Sequence, residues 1–260
     1  MKICFFSEAF SPHFFESSLP VSNESFIFPS FSVADTGLLR VTYGCKVSPD
    51  LETLLCSPLE WELTGAEPSV LILHTHATES YTRQAEDYSE SSDYRTLDDR
   101  YNLLSIGDRV AQLLQEHGIS VLHDRTLHDY PSYNGSYSRM LKIINAYMEK
   151  YPTIKMALSE YSGIQLILDL HRDAAEGKHG QLRTRGSFQG EASAQIMMVV
   201  GTGVGGLQNE HWQDNLSLAS KLHVLLERQS PGLTRPISLR AQRFNQDLHP
   251  HALLVEIGAA

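Results

Sequence analysis

The chain has 260 residues, 42% of them apolar and 20% charged, which is enough to bury a full core and argues against wholesale disorder. Its 21 Lys and Arg stand against 31 Asp and Glu, a formal charge of −10 with no basic run; this disfavours nucleic-acid binding and adhesion to an anionic membrane through a basic patch. No apolar stretch reaches the ~18 residues of a membrane span, and Glu8 and Pro12 interrupt any signal-peptide core at the start.

Residues 1–66 are rich in Ser, Phe and Pro and carry no sustained period. They read as an irregular or partly β-structured lead-in, ahead of one catalytic domain over 67–260. All three cysteines, Cys4, Cys45 and Cys56, fall in it. Three cannot all pair and their spacing matches no zinc knuckle, so a Cys45–Cys56 bridge and free thiols both stay open. From residue 69 the texture changes. Val70–Leu73 is a short apolar strand, followed by a polar loop over 77–100. Residues 102–117 form a helix with Leu103, Ile106, Val110, Leu113 and Leu114 on one face, stopped by Gly118. A strand follows at 119–122, a polar loop at 123–137 and a helix at 138–151, ended by Pro152. Strands are expected at 164–170, 195–201 and 253–257, with a helix at 216–228. The alternation argues for an α/β fold: a mostly parallel twisted sheet with helices on both faces. The chain stops just past its last strand, as a C-terminally truncated fragment would.

In open α/β sheets, ligands bind beyond the carboxyl ends of the strands. After the first strand come His74, Thr75, His76, Ala77, Thr78 and Glu79. The strand over 164–170 carries Asp169 and is followed by His171, Arg172 and Asp173. The last strand carries Glu256. Three strand ends thus present His and carboxylate to one crevice, the inventory of a hydrolytic zinc site: three protein ligands, an open position, and a free carboxylate for proton transfer. His76 and Glu79, at H-x-x-E spacing, and the distant His171 are the expected ligands, with Glu256 as base. Asp169, two residues before His171, could orient an imidazole. His74 competes with His76, because residues two apart on an extended chain share a side. Asp98 competes with Glu79, although Asp98 and Asp99 also read as caps of the following helix. The loop over 123–137 holds His128, Asp129, Tyr133 and Asn134, a composition suited to sugar or peptide contacts and equally to a solvated connection. Arg172 and Arg139 could hold a substrate carboxylate. His249 and His251 read as loop residues. GTGVGG (201–206) lacks the ending of a phosphate-binding loop and reads as a flexible loop beside the site. There is no G-x-S-x-G and no cysteine near the crevice, which disfavours serine and thiol nucleophiles.

VLILHTHATESY (70–81), YNLLSIGDRVAQLL (101–114), VLHDRTLHDYPSYNGSYSR (121–139), YPTIK (151–155), ILDLHRDA (167–174) and RFNQDLHPHALLVEIG (243–258) together resemble the stage II sporulation protein P family. The resemblance implies a zinc-dependent N-acetylmuramoyl-L-alanine amidase, with some endopeptidase action on cross-linked stems. The implied fold is like that of zinc amidases and carboxypeptidases. The implied ligands are His76, Glu79 and His171, with Glu256 as base. The implied task is septal peptidoglycan removal during engulfment, outside the cytoplasm, beside stage II sporulation proteins D and M. The family's usual N-terminal membrane anchor is not visible in the sequence. Two alternatives remain open: a zinc peptidase of other specificity, and an inactive wall-binding module.

Overall fold

The structure is a computed structural model that describes residues 29–59, 61, 63, 67–81, 94–152, 154–155, 161–174, 176–177, 180–181 and 184–259. Cys4 lies outside the described residues; Cys45 and Cys56 are free thiols, unbridged. No described helix is long and apolar enough to cross a membrane.

Seven strands form the main sheet: β1 (Val41–Tyr43), β2 (Val70–Leu73), β3 (Val121–His123), β4 (Leu166–Asp173), β5 (Ile196–Gly201), β6 (Ile237–Arg240) and β7 (Ala252–Ala259). Their order is β1-β6-β5-β7-β4-β2-β3. All neighbours are parallel except β5 and β7, which are antiparallel. The sheet is therefore two parallel blocks joined head to tail. The carboxyl ends of β2, β3, β4 and β7 lie at one edge, and those of β1, β5 and β6 lie at the other. The fold is α/β and mostly parallel, as the alternation predicts.

Side chains alternate between two faces along every strand. Val70, Ile72, Leu166, Leu170, Met198, Val200 and Leu253 enter one large apolar cluster, together with Ala111, Leu216, Leu218, Ala219 and Trp61. That face is covered by α1 (Leu51–Cys56), α2 (Leu103–Glu116) and α4 (Trp212–Gln229). Leu71, Leu73, Ile167 and Ala252 point to the other face, where Met140 and Ile144 of α3 (Ser136–Lys150) cover them. On the β5–β7 half of that second face, Met197, Val199 and Leu254 form a small buried cluster with Phe244 against it. Each fully buried Leu or Ile contributes about 1.5–3 kcal/mol, so the first face supplies most of the apolar stabilisation.

Local chemistry sets the helix starts. Asp50 caps α1 by accepting from Thr53 N, and Asn102 caps α2 by accepting from Leu104 N. Asp98 and Asp99 are not caps: Asp98 pairs with Arg100 and Asp99 with Arg125. The buried stripe of α2 includes Leu103, Gly107 and Ala111. Gly107 is required by close approach, because a Cβ there would lie 2.3 Å from His123 Nε2 and 2.5 Å from His74 Nε2. Helix α4 begins earlier than the apolar period suggests. Its buried Asn215 donates to Gln246 O and accepts from Ala252 N, fastening the helix to the chain entering β7.

Candidate metal centre

The centre stands at the carboxyl edge of β2, β4 and β7. Strand β2 ends at Leu73, and a turn over 75–78 brings His76 and Glu79 to one side, with Glu79 N donating to His76 O. In β4, Ile167, Asp169 and His171 share a face. Parallel pairing sets His171 directly beside Glu256 of β7. The His76 and His171 rings meet edge to face at 5.0 Å between centroids.

His76 Nδ1 lies 3.4 Å from Glu79 Oε1, and His171 Nδ1 lies 3.7 Å from Glu79 Oε2. One ligand atom from each of His76, Glu79 and His171 lies within 4.8 Å of the others, and all three residues are buried. The donors are two imidazoles and one carboxylate, the zinc-type set of a hydrolytic site. The Glu256 Oε2 atom is buried and has no hydrogen-bond partner among the described residues. The residues therefore fit a divalent zinc.

A supporting shell fixes these donors. His171 Nε2 pairs with Asp169 Oδ2 at 3.0 Å. Asp169 is itself held by Thr75, whose backbone N–H (2.8 Å) and hydroxyl (2.6 Å) both donate to it. Glu79 accepts from Arg172 N at 3.2 Å and from Arg95 Nη2 at 3.2 Å. Arg95 also reaches Asp129, which accepts the Thr78 hydroxyl at 2.6 Å. Tyr133 stacks on His76 at 4.5 Å, with the Arg95 guanidinium 4.8 Å from the Tyr133 centroid. The Tyr81 hydroxyl donates to Ile257 O at 2.6 Å, steadying β7 just past Glu256.

Electrostatics divide the carboxylates. Burial alone would raise Glu79, but hydrogen bonds and charge from His171 and His76 hold it well below the ordinary carboxylate range. Asp169 is lowered in the same way, against its burial, by His171 and Thr75. Burial works against a charged His171, yet Asp169 and Glu79 together keep it well above the usual imidazole value. Glu256 goes the other way: burial first, then repulsion from Glu79, Asp173 and Asp169, pushes it up to about 7, against the pull of His171. Carboxyl groups pushed apart in this manner are suited to different roles.

Several expected participants stand elsewhere. His74 does not join the centre. The strand ends before it, so the two-residue alternation with His76 fails, and its ring turns toward α2. There Nδ1 faces Leu170 O (3.2 Å) and Nε2 meets His123 Nε2 (2.8 Å), while His123 Nδ1 pairs with Asp108 (3.0 Å). Burial and His123 together lower His74 to about 3. Asp98 is drawn off by Arg100, and the acid near His76 is Glu79. Arg139 spends its guanidinium on loop carbonyls: Nε donates to His128 O, Nη1 to Asn134 O and Nη2 to Ser132 O. Asn134 thus serves the loop through its carbonyl. His128 is buried against Asp124 at 2.8 Å. Arg172 contributes its backbone N–H, while its Nη2 donates to Tyr94 O. His249 and His251 are buried at the opposite end of β7, where His251 meets Trp61 at 5.0 Å. GTGVGG follows β5, so the antiparallel β5–β7 pair places it at the far edge of the sheet, not beside the centre. Arg95 and Thr75 carry no local signal that could have singled them out, since both act only through contacts made by folding.

The family description "Stage II sporulation protein P (SpoIIP)" matches residues 33–260. The Stage II sporulation protein P of Bacillus subtilis (strain 168) is 30% identical over 202 residues, covering 76% of this chain and 47% of the relative. The chain thus spans about half the length of that relative. No solved structure matches. With the match running from the first described strand to the last, this chain belongs to the stage II sporulation protein P family.

Proposed function

We propose that the chain is a zinc-dependent N-acetylmuramoyl-L-alanine amidase. It cuts the amide between the lactyl group of muramic acid and the first L-alanine of the peptidoglycan stem. The observation that carries the reading is the convergence of His76, Glu79 and His171 donor atoms within 4.8 Å, with Glu256 on the strand paired beside His171. When bound, zinc supplies a Lewis acid for the scissile carbonyl and lowers the pKa of a water. Glu256 takes the proton from the attacking water and returns it to the leaving amine of L-alanine. Its burial beside the centre keeps Glu256 more readily protonated than an exposed carboxyl, which suits it to carrying that proton. Asp169 holds the His171 ring through Nε2, which leaves Nδ1 toward the centre. Tyr133 covers one side of His76 and limits water there.

On the same reading the protein works outside the cytoplasm at the sporulation septum, in septum thinning and engulfment, beside stage II sporulation proteins D and M. The test is mass spectrometry of purified sacculi digested with the zinc-loaded chain. Release of intact stem peptides supports the amidase. Shortened or uncrosslinked stems with no release of intact stem peptides would mean a peptidase, and binding with no release would mean a wall-binding module. Either result overturns the proposal.

A further inference from the structure

Hydrolysis of an amide puts negative charge on the carbonyl oxygen, and a donor already aimed at that oxygen lowers the barrier strongly. Most cationic and imidazole side chains around the candidate centre are engaged elsewhere. Arg95 gives Nη1 to Asp129 and Nη2 to Glu79. Arg139 donates to three loop carbonyls, Arg172 Nη2 donates to Tyr94 O, and His128 pairs with Asp124. The Tyr137 hydroxyl is different: it has no hydrogen-bond partner among the described residues, where the bond made at Tyr137 is to its backbone oxygen.

Tyr137 stands in the first turn of α3 and is half-buried. Tyr133 takes one face of the His76 imidazole, and Tyr137 meets the same ring at nearly a right angle, 82°, with 5.7 Å between centroids. Phe244 lies 6.0 Å from the Tyr137 ring, and Asn245 Nδ2 donates to Tyr137 O at 3.0 Å. Phe244 and Asn245 both adopt left-handed backbone, with φ of 54° and 56°. For a bulky aromatic residue this is a genuine outlier; such strain persists only where its surroundings hold it, and it gathers at functional sites. The hold is visible: Gln246 N donates to Arg243 O (2.9 Å), and Arg243 pairs with Asp247 (2.8 Å). A strained turn and the imidazole of a candidate ligand thus fix the Tyr137 ring between them. Burial first, then Asp169, Tyr133, Glu256 and Glu79, raise its phenol above the ordinary value, so the hydroxyl keeps its proton and faces the carboxylates of the centre.

We propose that Tyr137 is a catalytic residue, whose hydroxyl donates a hydrogen bond to the carbonyl oxygen of the scissile amide as that oxygen becomes an oxyanion. The inference rests on the amidase reading for which amide is cut, and deepens it. The water oxygen bonds to the carbonyl carbon, the carbonyl π pair moves onto its oxygen, and the water's proton goes to Glu256. Tyr137 donates to the charged oxygen throughout and keeps its own proton. The pair then re-forms the carbonyl, the carbon–nitrogen bond breaks, and Glu256 gives its proton to the leaving nitrogen. A donor that bonds the oxyanion more strongly than the neutral carbonyl raises kcat and leaves substrate binding alone.

The test compares the zinc-loaded full chain with Tyr137→Phe, which keeps both ring contacts and removes one oxygen atom. In the variant, kcat for stem-peptide release falls on the order of 10²-fold, while KM and zinc content stay those of the wild type. The second readout is calorimetry with a muramoyl-L-alanine analogue that carries a phosphinate in place of the amide. Tyr137→Phe weakens this anionic, tetrahedral probe about tenfold or more, yet in a Glu256→Gln background it binds the uncleaved substrate as tightly as its Tyr137 counterpart does. Equal kcat and equal phosphinate binding overturn the assignment and leave the amidase intact. A loss that appears as reduced zinc content or raised KM means that the tyrosine only supports the fold, and overturns the assignment as well. A wild type that cleaves only within stems, with the same fall in kcat in the variant, keeps the tyrosine and removes the amidase reading. A wild type that hydrolyses neither bond overturns both.

Discussion

The two faces of the sheet use the same strands for opposite purposes. On one face Ile72, Leu170, Met198 and Leu253 sit under three helices in one apolar cluster. On the other, the intervening residues of β4 are Ile167, Asp169 and His171, and those of β7 are Leu254 and Glu256. The first face makes the sheet rigid. The second holds Asp169, His171 and Glu256 on paired strands, and the turn after β2 brings His76 and Glu79 to them. Stability and chemistry are thus separable by alternate residues, and substitutions should show it.

The largest expected effect lies on the site face. Glu256→Gln should lower stem-peptide release by about 10²–10⁴-fold while the circular dichroism spectrum stays that of the wild type. Wild-type turnover in this variant would remove Glu256 from the proposed mechanism. The converse change is Leu253→Ala, one residue position set on the other face. It should cost about 2–5 kcal/mol of unfolding free energy, read by urea denaturation, with little change in zinc content per folded molecule. If it lost the metal as readily as the fold, the two faces would not be separable.

Glu256 also sharpens the comparison through pH. Its folded value is raised to about 7 from the ordinary 4.5, so the unfolded chain ionises first as pH rises. The metal-free protein then loses stability between those two values and gains nothing back above them. Glu256→Gln should therefore be more stable than the wild type at pH 8, by at most about 3 kcal/mol, and no more stable at pH 4. Thermal melts in chelator at the two pH values measure this, and an equal difference at both would contradict it. A smaller effect is expected from Arg95→Ala. Loss of the bridge between Glu79 and Asp129 should weaken zinc about 10–100-fold in competition with a chromogenic chelator, leaving the core face unaffected.

Much of this was legible in the sequence because it is carried by short, strong patterns. Val70–Leu73, the strand around Asp169 and the strand around Glu256 are apolar runs with chemistry at their ends, and the sheet rule turned them into one crevice. The helices α2, α3 and α4 follow from periodicity, although the polar first turn of α4 hides its start. The edge strand β1 and the short β6 were not legible, since three or four residues cannot set a period. The antiparallel β5–β7 pair leaves no trace in the sequence either, which is why GTGVGG was expected beside the centre and stands at the other edge. At the site, the H-x-x-E spacing to Glu79 favoured His76 over His74, and the turn that follows Leu73 is what sends His74 elsewhere. Arg139 looked like a substrate anchor because a free Arg and one engaged with loop carbonyls have the same one-letter code. Thr75 and Arg95 act wholly through tertiary contacts.

The central claim is that His76, Glu79 and His171 hold one divalent ion. Elemental analysis of the chain purified without added zinc tests it most directly, together with a His171→Ala variant shown to be folded. About one zinc per wild-type chain and essentially none in the variant is the predicted result. A metal-free wild type that binds no added zinc, or a variant that keeps its full complement, would contradict it.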